Sequence, residues 1–328
     1  MTKAIIITSI FEPTEAVKKF AQLQGYQLIV VGDRKTPKAW QCERVIYLAV
    51  DDQQTNHYEL NKILPYNHYC RKMLGYLFAI EKGAIMIVDT DDDNIPKENW
   101  GFPGFEGLFP GTEPDLGFIN VYKFFTEQHI WPRGLPLGLI NSKQEQPALQ
   151  KAVAKIDIWQ GLADEDPDVD ALYRLTCDKP CYFDNKEPLF LSAGTLAPFN
   201  TQNTLIRKEL YPLLYLPVSV TFRFTDILRG LVAQPIMWLN GYCLGFTNAT
   251  VIQKRNPHNY YDDFISELPM YEHCENIITL VKGVISPNET IAGNLYSAYV
   301  ALTKHHIVAD SEIPALKAWL KDISDLEI

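Results

Sequence analysis

Through the first ninety residues, short continuous apolar blocks alternate with segments of helical spacing. Ala4-Ile5-Ile6-Ile7, Leu28-Ile29-Val30-Val31, Val45-Ile46-Tyr47-Leu48 and residues 84–88 each read as a buried strand. Between them, residues 15–23 read as a helix opened by Pro13 and Thr14. Residues 70–82 place apolar side chains at 70, 73, 74, 77, 78 and 80, and Gly83 follows where a left-handed residue ends a helix. Strands that are apolar on both faces and alternate with helices predict a mostly parallel α/β sheet covered on both sides.

Beyond residue 100 the pattern loosens. Phe102-Pro103-Gly104-Phe105 and Trp131-Pro132-Arg133-Gly134 read as loops around a strand near 116–121. Residues 186–245 mix strands and helices, with a helix at 227–234. A further helix ends at Leu280-Val281, and amphipathic helices follow at 294–305 and 313–320. No Ser/Gly linker and no repeat divides the chain, which predicts one continuous domain over residues 1–328.

Composition narrows the function. The formal net charge of −10 leaves no basic footprint for nucleic acid. An acidic chain that handles anionic diphosphates must gather a metal, or its few cations, in one place. Six cysteines without a C-x-x-C pair read as buried thiols rather than a zinc site. The first apolar run is too short for a signal peptide, and no stretch reaches the roughly 18 apolar residues needed to span a bilayer. The expectation is a soluble, cytoplasmic protein, with a homo-oligomer left open by the C-terminal helices.

The sharpest chemical signal is Asp89-Thr90-Asp91-Asp92-Asp93, directly after Ile85-Met86-Ile87-Val88. Ligands of parallel sheets bind at the carboxyl ends of the strands. Thr8-Ser9 and Gly32-Asp33 fall at the same rim as the acidic run. Four carboxylates in five residues repel one another unless a cation or protons intervene. Their hard oxygens suit Mn²⁺ or Mg²⁺, which keep waters and take phosphate oxygens as further ligands. A D-x-D after a buried strand therefore reads as a diphosphate–metal site; the competing reading is a solvated acidic turn.

Other candidates are single residues. Arg133, in an aromatic loop, could clamp a phosphate bidentately or simply stack on Trp131. Asp226, before an apolar helix, could cap that helix or act as the general base that deprotonates an acceptor hydroxyl. The second acidic run, residues 164–170, reads chiefly as a solvated loop. In the basic stretch Lys254-Arg255-Asn256-Pro257-His258-Asn259, a His and a Lys near the diphosphate would complete a cationic clamp.

Residues 67–75 with Ile87-Val88-Asp89-Thr90-Asp91-Asp92 are similar to the donor segment of GT-A glycosyltransferases, a Rossmann-like fold. Thr8-Ser9 with Pro13-Thr14-Glu15-Ala16, and Val30-Val31-Gly32-Asp33-Arg34-Lys35-Thr36-Pro37, resemble the STELLO family. Arg133-Gly134-Leu135-Pro136-Leu137, Gly194-Thr195-Leu196-Ala197-Pro198-Phe199-Asn200 with Asn203, and Phe222-Arg223-Phe224-Thr225-Asp226 resemble both that family and the reversibly glycosylated polypeptides, which are UDP-arabinopyranose mutases. The resemblance runs over roughly residues 4–265; no motif was matched in the last 60 or so. Plant STELLO proteins carry a membrane anchor, for which no apolar stretch is found in these residues.

The resemblance implies a GT-A fold with a nucleotide-binding half at 1–100, an acceptor and catalytic half at 101–265, and C-terminal helices at 266–328. It implies that Asp91 binds the metal, that Asp89 binds metal or ribose, and that Asp92 or Asp93 supports the site, with Asp93 counted among the metal ligands. Thr8, Ser9 and Asp33 would line the nucleoside pocket, and Arg71 would approach the base or diphosphate. Arg133 matches the arginine that the mutases glycosylate, and part of the acidic run at 164–170, after Trp159-Gln160-Gly161, could face the acceptor. The expected activity is metal-dependent glycosyl transfer from a nucleoside-diphosphate sugar, UDP-sugar favoured, to a hydroxyl acceptor such as a glycan. The alternatives are a UDP-sugar mutase working through Arg133 and a non-catalytic nucleotide-sugar-binding regulator of other glycosyltransferases.

Overall fold

The computed structural model describes residues 3–142, 146–256 and 259–326. The strands are β1 (Lys3–Thr8), β2 (Gln27–Val31), β3 (Val45–Leu48), β4 (Met86–Thr90), β5 (Asn94–Pro96), β6 (Glu106–Gly111), β7 (Gly117–Phe118), β8 (Gln150–Lys155), β9 (Ile158–Glu165), β10 (Leu189–Leu191), β11 (Thr195–Leu196), β12 (Asn203–Arg207) and β13 (Leu244–Gln253). The helices are α1 (Glu15–Phe20), α2 (Val50–Thr55), α3 (Lys72–Glu81), α4 (Leu137–Ile140), α5 (Ala171–Thr176), α6 (Thr225–Leu239), α7 (Tyr260–Lys282), α8 (Ile291–Lys304) and α9 (Glu312–Asp325). None of the described helices is long and apolar enough to cross a membrane.

One central sheet, ordered β3-β2-β1-β4-β12-β9-β13-β10-β6-β8, crosses the molecule. Its first four strands are parallel neighbours, and β9 with β13 and β10 with β6 are parallel again. The antiparallel β12 sits between β4 and β9. This is the α/β, Rossmann-like GT-A arrangement expected: mostly parallel strands flanked by helices.

Strand geometry explains the layering, because successive side chains point to opposite faces. Ala4, Ile6, Ile29 and Ile87 pack in the larger core with Met73, Leu74 and Leu77 of α3 and with the C-terminal helices. Ile5, Ile7, Leu28, Val30 and Val88 join Ala16, Val17 and Phe20 of α1 in the second core. At Gly75 a Cβ would lie 2.7 Å from the γ-methyls of both Ile6 and Val31. Glycine at this point lets α3 approach the sheet closely and brings its first turn to the strand rim.

That rim collects the chemistry. The carboxyl ends of β1, β2, β4, β9 and β13 point the same way, and β12, being antiparallel, begins there, with Asn203 opposite Thr90. Two expectations for the elements are corrected. The strand expected over 116–121 shrinks to β7, followed by a 3-10 turn at Val121–Phe124. The acidic run at 164–170 is no solvated loop: β9 runs into it, and Asp164, Asp168 and Asp170 are all buried.

Candidate functional site

Two cavities adjoin at the rim, of about 220 Å³ and about 180 Å³. The first is lined by Thr8, Ser9, Gly32, Asp33, Lys35 and Arg71; the second by Asp91, Asp92, Asp93, Arg133, Arg255 and Asp226, among others. Thr8, Tyr69, Asp92 and Phe222 border both and form the wall between them. The structure thus brings together nine of the ten sequence candidates and leaves Asp89 behind the wall.

Asp89 is fully buried. Its Oδ1 lies 2.7 Å from Lys72 Nζ and its Oδ2 lies 2.8 Å from Arg229 Nη1, and Tyr76 Oη donates to Oδ2 at 2.7 Å. Two buried cations neutralise this carboxylate away from either cavity. This corrects the expectation that Asp89 binds metal or ribose; it anchors β4 instead.

Asp91 keeps its carboxylate in the cavity, where Tyr69 Oη (2.8 Å) and Lys72 Nζ (2.9 Å) donate to Oδ1. Asp92 Oδ2 accepts from Ser9 Oγ at 2.5 Å, and its carbonyl accepts from Thr14 Oγ1 at 2.6 Å. Thr14 also caps α1, so one threonine ties a helix start to the acidic run. Asp93 Oδ2 accepts from Gln253 Nε2 at 3.2 Å. Asp33 spends both oxygens on backbone donors, Arg34 N–H at 2.7 Å and His68 N–H at 3.1 Å, and so shapes the first cavity's floor.

Burial raises the Asp92 carboxyl to about 6 despite Ser9, and raises Asp93 to about 7, with the Asp91 charge adding to the rise. Burial also lifts Asp91, against Lys72, and lifts Asp170 to about 6. These groups hold protons in the fold that the unfolded chain has already released, so stability falls as pH rises from about 4 through 7. His68, lowered by burial, opposes the trend with one group. The free energy of unfolding in EDTA should therefore rise on going from pH 8 to pH 6, by roughly 1 kcal/mol per pH unit, and be read as a higher thermal midpoint. A flat or falling midpoint over that range would contradict it.

A full protein cage for a metal is not present: no cluster of three His, Cys, Asp or Glu side chains is arranged for one among the described residues. Asp91 and Asp93 nevertheless face the cavity and suffer desolvation and mutual repulsion that a cation would relieve. Mg²⁺ and Mn²⁺ commonly take one or two carboxylates and complete their shell with water and substrate phosphate. The donor set fits that kind of site.

The other wall is a lattice of arginines and acids. Arg133 is bidentate to Asp168 (Nε–Oδ1 and Nη2–Oδ2, both 2.8 Å) and to Asp226 (2.9 and 3.0 Å), and it also donates to the Arg223 carbonyl. All five of its N–H donors are engaged. Gly134, at φ +94°, makes the turn that seats it; a Cβ there would lie 2.6 Å from Ile227 Cγ2. Burial would raise the Asp226 carboxyl, but Arg133 beside it holds it below the usual range. Thus Arg133 is no free phosphate clamp, and Asp226 is a poor proton acceptor. Both expectations are corrected: the pair frames the cavity.

Arg71 is similarly committed, to Gln53 and Asn61, with its guanidinium over the Tyr66 ring. It borders the first cavity, where it was expected to approach the base or diphosphate, and protein oxygens hold its guanidinium in place. Lys254 pairs with Glu165 at the surface, and His258 lies outside the described residues. Sequence reasoning missed Tyr69 and Lys72, and reached Asp168 only as part of a run that could face the acceptor. Lys72 stands at helical spacing in an apolar face, a position where a buried lysine needs carboxylate partners; the acidic run supplies them.

Comparison with known proteins finds similarity along nearly the whole chain. The profile of the STELLO glycosyltransferases matches residues 223–328, which takes in the C-terminal helices where no motif had been matched. The protein named "Probable glycosyltransferase STELLO2" of Arabidopsis thaliana is 34% identical over 98% of this chain, and "Probable glycosyltransferase STELLO1" of the same plant is 29% identical over 98%. In both cases the match covers 44% of the relative, so the chain spans less than half the length of these proteins. Over nearly its whole length this chain is therefore similar to part of the STELLO proteins, and its C-terminal third matches their profile.

Proposed function

We propose that the chain binds a nucleoside-diphosphate sugar across the two adjoining cavities and transfers its glycosyl group to an acceptor hydroxyl. The observation that carries this reading is the shared wall. Asp92 and Thr8 border both cavities, so a ligand with a nucleoside in the first must pass its diphosphate along the acidic run to reach the second. Asp91 and Asp93 would hold Mn²⁺ or Mg²⁺, which offsets the charge on a departing diphosphate. Tyr69 and Lys72 keep Asp91 oriented toward the cavity, and Ser9 and Thr14 fix Asp92. Phe222, 56% exposed and edge-on to Tyr69, covers the junction. A uridine nucleotide is the favoured donor base, and a glycan hydroxyl the favoured acceptor.

Thermal unfolding with UDP, GDP, CDP or ADP, with and without Mn²⁺, tests the donor site. One nucleotide should stabilise the protein only when metal is present, by about 2.7 kcal/mol at 100 times its Kd. Asp91→Ala should remove that stabilisation. No shift with any nucleotide, or an unchanged shift in Asp91→Ala, would sink the reading. Product analysis with and without an acceptor then separates transfer from sugar isomerisation, and the absence of any turnover would favour a regulator.

A further inference from the structure

Arg255 stands out among the cations of the second cavity. Its side chain is 7% exposed, it pairs through Nη2 with Asp263 at 3.0 Å, and its Nε–H has no hydrogen-bond partner among the described residues. A buried N–H left unpaired costs about 1–3 kcal/mol, so such a group calls for a ligand. Arg223 lines the same cavity; it is held by Glu267 at 2.8 Å and lies 4.0 Å from Asp168. Burial and repulsion from Arg223 and Arg174 pull the Arg255 guanidinium down to about 10. Of the acids nearby, Asp168 and Asp226 are committed to Arg133 and Glu267 to Arg223, while Asp93 lines the same cavity, its carboxyl raised by burial and pulled the other way by the Arg255 charge. Arg255 lines the cavity beside Arg223, and a guanidinium is a planar fork of donors whose shape matches a two-oxygen anion.

We infer that Arg255, with Arg223, forms an oxyanion-binding subsite in this cavity, and that its ligand is either the terminal phosphate of a nucleotide or a carboxylate on the sugar beyond it. The choice of ligand rests on the donor reading above, whereas the subsite itself rests only on the cavity and the underpartnered guanidinium. The chain leaves the sheet at Gln253, and Lys254 N–H donates to the Asp93 carbonyl at 2.9 Å, which sets Arg255 beside the acidic run.

Calorimetric titration in EDTA with inorganic phosphate and, separately, with glucuronate tests the subsite without any nucleotide. The unsubstituted protein should bind at least one of the two. Arg255→Gln should weaken that binding at least tenfold, Arg255→Lys should weaken it less, and Arg44→Gln, an exposed arginine away from the rim, should leave it unchanged. Loss for phosphate alone identifies the nucleotide's terminal phosphate as the ligand; loss for glucuronate alone identifies a sugar carboxylate. Binding of neither anion by the unsubstituted protein, or equal binding by Arg255→Gln with an unchanged melting temperature, overturns the inference. If nucleotides fail to stabilise the protein yet phosphate still binds through Arg255, the donor reading falls and the subsite stands.

Discussion

Replacing Lys72 with Met should destabilise the protein by about 3–5 kcal/mol, the range found when one partner of a buried ion pair is removed. The ammonium is fully buried and lies within 3.0 Å of four oxygens: Asp89 Oδ1, Asp91 Oδ1, the Thr90 carbonyl and Tyr69 Oη. Burial alone would lower its pKa, but Asp89 and Asp91 beside it hold it above the ordinary lysine range. Methionine fills nearly the same volume, so the loss measures charge rather than a cavity. It leaves Asp91 without a cation, held by Tyr69 alone, and leaves Asp89 with Arg229 and Tyr76 on its other oxygen. Urea unfolding at pH 7 is the measurement. Lys72→Met combined with Asp91→Asn should recover part of the loss, because one stranded charge is gone. A loss below about 1 kcal/mol, or no recovery in the double variant, would mean that the ammonium is not the clamp inferred here.

The same lysine shows what the sequence could and could not reveal. Apolar blocks identified β1 to β4 within two residues, and Gly83, at φ +76°, ends the α3 segment as expected. These elements are legible because a parallel strand buried on both faces leaves little choice of side chain. The acidic run was legible for a related reason, since four adjacent carboxylates after such a strand need an external cause. Division of labour within the run was not. Strand alternation turns Asp89 into the core and leaves the later carboxylates at the rim, but whether the inward one meets cations depends on Lys72 and Arg229, 17 residues before and 140 after it. Asp168 was hidden likewise. Its partner Arg133 lies 35 residues away, and an Asp-rich stretch with a proline looks solvated until that arginine is placed. The C-terminal helices carry no chemistry in their motifs, yet Glu312 of α9 accepts from Val218 N–H and Ser219 N–H at 2.9 Å. It thereby fixes the segment leading to Phe222.

Arg133→Lys should cost stability of a similar size, about 3–5 kcal/mol, although the charge is retained. Lysine offers three donors from one point, whereas the guanidinium spans Asp168 and Asp226 with parallel pairs of hydrogen bonds. Neither carboxylate can be satisfied twice over by an ammonium, so one is left buried and under-bonded. Asn200 Nδ2 still donates to Asp168 at 2.7 Å and Thr201 Oγ1 to Asp226 at 3.3 Å, too little to replace a bidentate arginine. The expected result is a lower urea midpoint for Arg133→Lys, and a smaller loss for Arg223→Lys, whose guanidinium pairs with one carboxylate closely and a second only at 4.0 Å. The experiment also bears on the mutase alternative, in which Arg133 itself takes the sugar. A guanidinium with all five N–H groups donated has no free nitrogen to attack an anomeric carbon. Intact-protein mass spectrometry after incubation with UDP-sugars should therefore show no adduct at Arg133. A glycosylated Arg133, with Arg133→Lys as stable as the unsubstituted protein, would reverse the assignment and make this arginine a nucleophile rather than the frame of the cavity.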